Sequence, residues 1–278
     1  MAAAMLIIPA VDGIAKHLSS SHTPYFIAFA RYAVASLFVL PVSLVLHGRN
    51  FLPRPPRGTH LLRTLFLILA MTCYIFALAR IEMATAISAF FIGPLVATLL
   101  AVAFFKERIT SRKVFSLGLG FAGALIILRP DTTLNPGVLF ALASGTFFGF
   151  YMVTTRLAAR ASDPIRTLAF QSLVGAALLF PAAAFTWPAT SVDGASSLFA
   201  EWPLLLALGA FSATSHLLSI TAFRYAETST LAPLVYLELI ATAAIGFQFF
   251  DELPGSTIWI GAAAIIAGGL LVMRRNPS

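Results

Sequence analysis

Charge is missing from stretch after stretch of this chain, and that absence limits its fold more than any motif does. Ten apolar runs, bounded by charged residues or by clusters of Pro and Gly, fill most of its 278 residues. They cover 2–18, 25–46, 61–79, 83–105 and 114–128, then 137–155, 165–185, 202–223, 228–250 and 257–273. A bilayer's hydrocarbon core is about 30 Å thick and takes about 20 residues of helix to cross. Barrel strands are about half as long and alternate in polarity, so these runs read as helices. Only 10% of residues are charged and 59% are hydrophobic, against about 25% charged in a soluble domain. The expected fold is therefore an all-α polytopic membrane protein with ten transmembrane helices. The fifth run is the shortest and needs Lys113 and Arg129 to reach outward along their alkyl stems.

The formal net charge of +7 suggests nucleic acid until the basic residues are located. Even-numbered connections and the C-terminus hold Arg49, Arg54, Arg57 and Arg63; Lys106, Arg108, Arg112 and Lys113; Arg156, Arg160 and Arg166; Arg224; and Arg274 and Arg275. These are 14 of the 18 basic residues. Arg80 and Arg129 fall on the other side, and Lys16 and Arg31 lie within runs. Basic loops stay in the cytoplasm, so both termini are expected there, Trp187 and Trp202 anchor an outer connection, and nucleic acid is not an expected partner. No basic segment precedes the first run, so a cleaved signal peptide is not expected. The single cysteine, Cys73, excludes an intramolecular disulfide framework or a cysteine-based metal site and reads as packing.

The chain also repeats itself. A shift of 145 residues aligns Glu82 with Glu227, Thr85 with Thr230, Phe104-Phe105 with Phe249-Phe250, and Glu107 with Glu252. The same shift aligns Ala122-Gly123 with Ala267-Gly268, and Leu125 with Leu270. A shift of 140 aligns Pro24 with Pro164, Pro41 with Pro181, and Lys16 with Arg156. The halves are expected at 1–130 and 131–278, with five helices each. An odd number makes the second half enter the membrane upside down, and the charges agree. The connection 106–113 is basic and its counterpart 251–256 is acidic. Inverted duplications of this kind mark transporters, with substrate bound near the midplane at the repeat interface.

Two five-helix halves, with Phe105-Lys106-Glu107-Arg108-Ile109-Thr110 closing the fourth helix, resemble the drug/metabolite transporter superfamily, EamA type, over essentially the whole chain. Asp12-Gly13-Ile14-Ala15-Lys16, Ala30-Arg31-Tyr32 and Tyr236-Leu237-Glu238-Leu239 resemble the bacterial S-adenosylmethionine uptake carriers of that superfamily. Riboflavin importers and amino-acid exporters have similar sequences. The resemblance implies that helices 1–4 and 6–9 surround a central cavity, with helices 5 and 10 to the side.

Ionisable groups at membrane depth cost at least about 2.5–3.5 kcal/mol each and are functional candidates by default. Asp12 and Lys16 are four residues apart and share a helix face. Arg31, Gln171, His216 and Glu238 are embedded in runs 2, 7, 8 and 9. As a substrate site, Asp12 and Glu238 bind an amine or sulfonium and Arg31 binds a carboxylate. As packing, Asp12 pairs with Lys16 or Arg31 and His216 bonds to a neighbouring helix. Glu238 could also load and release a proton. Tyr32, Tyr74, Tyr151 and Tyr236 either line the cavity or fill the core. Pro9, the pair Gly93 and Pro94, and Pro233 interrupt runs 1, 4 and 9, as hinges or as static kinks. Glu82 and Glu227 read as helix-dipole partners, and Glu107 and Glu252 as loop contacts. Gly118, Ala122 and Gly123 with Gly261, Ala264 and Gly268 read as close-packing positions, for helix contacts within the monomer in preference to dimer formation.

No glycine-rich phosphate loop, metal-binding His–Glu spacing or nucleophile elbow is present, so no enzyme, cofactor or metal is expected. The sequence points to a secondary transporter of a small polar metabolite, acting as a monomer or weak homodimer in the lipid bilayer of the inner membrane. A passive facilitator or channel is the alternative.

Overall fold

A computed structural model describes residues 1–54, 57–107, 109–128, 135–186, 192–251 and 256–273. Arg108, Arg129, Trp187, Glu252, Arg274 and Arg275 therefore lie outside the described residues. Every regular element among those described is helical. The first six are α1 (Ala2–Leu18), α2 (Pro24–His47), α3 (Gly58–Leu78), α4 (Met83–Phe90), α5 (Ile92–Phe105) and α6 (Ser111–Leu128). The next six are α7 (Pro136–Ala161), α8 (Pro164–Phe185), α9 (Val192–Tyr225), α10 (Thr228–Leu231), α11 (Glu238–Phe250) and α12 (Ser256–Met273). Short 3₁₀ turns occupy Gly48–Asn50 and Ala232–Leu237. Among the described residues, 7 stretches are long and apolar enough to cross a bilayer. Large apolar side chains such as Val45, Phe104, Phe185 and Phe249 face outward, a surface that lipid covers and water does not. The chain is a polytopic membrane protein.

Two helix starts follow from the same local chemistry. Thr23 Oγ1 accepts from the Phe26 N–H at 3.3 Å ahead of Pro24. Asp163 Oδ1 accepts from the Ile165 N–H at 2.9 Å ahead of Pro164. In each case a side-chain acceptor takes an orphan donor, and the proline sits in the first turn, where its missing N–H is no loss.

Proline also breaks the fourth run, which the sequence reads as one helix. Pro94 cannot donate to the Phe90 carbonyl, and its ring crowds that turn, so α4 ends at Phe90 and α5 restarts at Ile92. The break lies one turn upstream of the Gly93-Pro94 pair. The phenol of Tyr236 donates to the Phe91 carbonyl at 3.4 Å, and the two rings meet edge to face at 4.8 Å. Pro233 opens the 3₁₀ turn between α10 and α11. Pro9 breaks nothing. Helix α1 runs straight through it, which corrects the expected interruption there.

Packing pairs the helices in an orderly way. The closest-packed pairs include α3 with α7 and α1 with α9, α5 with α7 and α1 with α11, α2 with α8, and α6 with α12. Exchanging α1–α3 with α7–α9, α5 with α11 and α6 with α12 leaves this pattern unchanged. Lys106 and Asp251, which end α5 and α11, are the non-glycine residues with positive φ among those described (52° and 53°) and stand 145 positions apart. Ser116 Oγ donates to the Gly268 carbonyl where α6 meets α12, and a Cβ on Gly268 would come within 2.7 Å of the Ser116 carbonyl oxygen. Ser116 and Gly268 thus make a close contact between α6 and α12.

Helix ends differ from the apolar runs where charge was taken as a boundary. Helix α3 begins before its run and α7 continues to Ala161. Arg63 and Arg156, expected in cytoplasmic loops, instead lie in helices with their side chains buried. A hydropathy reading stops at a charge, whereas the helix continues wherever the bundle interior supplies acceptors.

The crossing of α4 and α7 is the tightest test of this packing. A Cβ on Gly145 would overlap the Phe90 carbonyl oxygen, whereas one on Gly118 meets nothing within 4 Å. Gly145→Ala is expected to cost about 2 kcal/mol through overpacking. That lowers the detergent-solubilised Tm by about 5 °C. Gly118→Ala leaves Tm unchanged or slightly raises it. Differential scanning fluorimetry of the two variants checks the contrast.

Candidate functional site

The fold draws polar side chains from six helices into its centre. Asp12 (2% exposed), Arg31 (3%), His216 (4%) and Glu238 (3%) line a small cavity with Ile8, Met71, Tyr74, Phe90 and Phe148. Its volume is about 20 Å³, room for about one water molecule, so the site is closed around its own side chains.

Arg31 reaches it from α2 and spends each nitrogen on a protein acceptor. Nε donates to Ser212 Oγ at 2.7 Å, Nη1 to Met71 Sδ at 3.1 Å, and Nη2 to His216 Nε2 at 3.3 Å. A guanidinium only donates, so His216 Nε2 accepts, and the neutral imidazole carries its hydrogen on Nδ1. That nitrogen lies 3.5 Å from the Tyr151 phenol oxygen on α7. The same oxygen accepts from Arg63 Nη2 at 3.0 Å, and Arg63 Nε donates to Thr155 Oγ1 at 3.2 Å. One hydrogen-bonded chain thus joins α2, α9, α7 and α3.

Asp12 on α1 and Glu238, the first residue of α11, complete the cluster. Both line the same small cavity, with the Arg31 charge close by. Among the described residues neither forms an ion pair with Arg31. The pairing of Asp12 with Lys16 or Arg31 expected from sequence is therefore not made as a direct ion pair. Lys16 Nζ instead donates to the Ile81 carbonyl at 3.3 Å and sits 5.4 Å from the centre of the Phe250 ring. It lines a separate open cavity of about 870 Å³ with His17, Arg80, Ile81, Glu82 and Asn135. That vestibule lies at the C-terminal end of α3. Arg63 sits about 22 Å away along the same helix at 1.5 Å per residue, near the opposite end.

The remaining sequence candidates divide. Tyr74 and Tyr151 belong to the cluster. Tyr32 is buried beside Arg31, Arg63 and Tyr151. Gln171 is buried in α8 with its carbonyl oxygen unpartnered. Tyr236 is not brought to the cavity, because it holds the break between α4 and α5. Glu107 does more than touch a loop. Its carboxylate accepts from the N–H groups of Thr228 at 3.3 Å and Ser229 at 3.0 Å. Lys113 pairs with Glu227 at 2.8 Å. These contacts latch the connection before α6 onto the start of α10.

Sequence reasoning missed Arg63, Ser212, Met71 and Thr155. Arg63 was detectable. Stepping back from Tyr74 by three or four residues gives Met71, Leu67, Arg63/Thr64 and His60, one helical face, and all of these are buried.

Comparison with known proteins agrees with this architecture. The model of the EamA-like transporter family matches residues 1–129 and again 135–274. A Rickettsia bellii protein named S-adenosylmethionine uptake transporter is 29% identical over 94% of this chain and 88% of its own length. A Brucella anthropi riboflavin transporter is 28% identical over 90% of this chain and 88% of its own. A crystal structure at 19% identity superposes with a TM-score of 0.79, covering 98% of this chain and 95% of the other, and has the same fold.

Ser212→Ala leaves the buried Arg31 Nε without an acceptor. It is expected to cost about 1–3 kcal/mol and lower the Tm by several degrees. Ser212→Thr, which keeps the hydroxyl, retains most of the stability. Thermal unfolding of both purified variants in detergent provides the measurement.

Proposed function

The chain belongs to the EamA-like transporter family, and from that membership we propose a secondary carrier that moves a small polar metabolite by alternating access. The family and the named relatives are transporters, not enzymes. The further reading is ten membrane-crossing helices in two inverted five-helix repeats, 1–130 and 131–278, with both termini on the cytoplasmic side of the inner membrane. The double family match, the exchangeable packing pattern and the paired left-handed caps support the repeat. The distribution of basic residues supports the orientation, in which the wide vestibule would open to the outer face.

One observation carries the reading: a buried cluster of Asp12, Arg31, His216 and Glu238 closed between elements of both halves. Charged groups at this depth without a salt-bridge partner are expensive to keep. Substrate binding compensates them. Two carboxyls side by side favour a substrate with a positively charged group, an ammonium or a sulfonium, as in an amino acid or a molecule like S-adenosylmethionine. A flat neutral ring such as that of riboflavin would make less use of them. Opening must precede entry, since the cavity holds about one water molecule. The proline breaks at Phe91 and Ala232 and the latch of Glu107 on α10 are the elements that would move.

Purified protein in liposomes is expected to show saturable counterflow of S-adenosylmethionine or a cationic amino acid. Conductance far above carrier rates would favour a channel instead. Glu238→Gln is expected to cut uptake about tenfold or more, the equivalent of one charge-assisted hydrogen bond, with expression and Tm intact. Unimpaired uptake by that variant contradicts the role assigned to Glu238.

A further inference from the structure

Two charges at the centre of the bundle stand without an ion-pair partner. Arg31 and Arg63 bring permanent positive charges into the interior, with relative exposures of 3% and 0%, and neither forms an ion pair among the described residues. Asp12 and Glu238 line the small cavity beside Arg31, whereas Arg63 lies beyond it, next to Tyr151.

The hydrogen-bond directions identify the open positions. Tyr151 oxygen takes hydrogens from Arg63 Nη2 and from His216 Nδ1, leaving the phenol's own hydrogen to donate elsewhere. Arg63 Nη1 is buried with no partner in the structure. Arg63 also lies over the Tyr151 ring, 5.0 Å from its centre, which fixes the guanidinium plane. Two donors, Arg63 Nη1 and the Tyr151 hydroxyl, are thus left on adjoining side chains, and His216, next to Tyr151, lines the small cavity.

We propose that Arg63 and Tyr151 form a seat for the carboxylate of the transported molecule. This rests on the carrier reading and refines it: the substrate is amphoteric, with its cationic group at Asp12 and Glu238 and its carboxylate at Arg63. Arg31, whose nitrogens are all engaged, holds the two ends apart.

Acetate serves as the probe, since it has the carboxylate and nothing else. In purified wild-type protein, acetate replacing chloride at constant ionic strength raises the Tm saturably by about 3 °C. Arg63→Gln abolishes the rise, and Arg63→Lys, which keeps the charge but loses the fork, needs about tenfold more acetate. A flat wild-type response overturns the proposal without any variant having to fold. So does an unchanged response in Arg63→Gln. In liposomes, acetate competes with S-adenosylmethionine uptake. Undiminished uptake at saturating acetate means that the seat holds a standing counter-ion, which overturns its assignment to the cargo. If no S-adenosylmethionine enters at all, the carrier reading loses support, while the thermal arm still decides the role of Arg63.

Discussion

A guanidinium in the middle of a membrane protein has no water to donate to, and the bundle is arranged around that constraint. Arg31 reaches from α2 to Ser212 and His216 on α9 and to Met71 on α3. His216 passes the connection to Tyr151 on α7, and Tyr151 to Arg63, back on α3. Four helices are joined by one run of directed hydrogen bonds, each worth more here than in water because the alternative is an orphaned donor. The apolar packing around it supplies close contact but little specificity. Lipid tails are as apolar as leucine, so register between the helices depends on such polar contacts and on small residues such as Gly145.

Much of this was legible in the sequence because lipid imposes simple rules. Run length indicates helices, and the shift of 145 residues that aligns Phe105 with Phe250 and Glu107 with Glu252 also relates Lys106 to Asp251, which share a left-handed conformation. The choice of Asp12, Arg31, His216 and Glu238 followed from the cost of charge at depth, and the structure gathers all four around one cavity. What failed, failed for a definite reason. Arg156 was assigned to a loop because a charge ends a hydropathy window, and Arg63, inside run 61–79, was counted with the basic loop before it, although the interior offers both of them acceptors. Lys16 looked like the partner of Asp12 by spacing alone, yet its ammonium donates to the Ile81 carbonyl at the vestibule. Tyr236 was equivalent to the other tyrosines in sequence, and only the break caused by Pro94 shows what its phenol does.

Function enters through the order of charges along the bundle. The open vestibule with Lys16 lies at one end, the carboxyl pair and Arg31 at the centre, and Tyr151 and Arg63 beyond them. The centre is closed to about one water molecule, and the far end is tied by Glu107 and Lys113 to the start of α10. The proposed carrier needs such a combination: a polar site deep in the bundle, closed here to about one water molecule, next to helices already interrupted where bending is cheap.

Access to the central cavity tests the account most directly. A single cysteine is placed at Met71, with Cys73→Ser removing the native thiol, and a membrane-impermeant thiol reagent is applied to vesicles of each orientation. The account predicts labelling from both faces, with the rate from each side falling when substrate is present. Labelling from one face only, or from neither under turnover conditions, contradicts a central site exposed alternately to the two sides of the membrane.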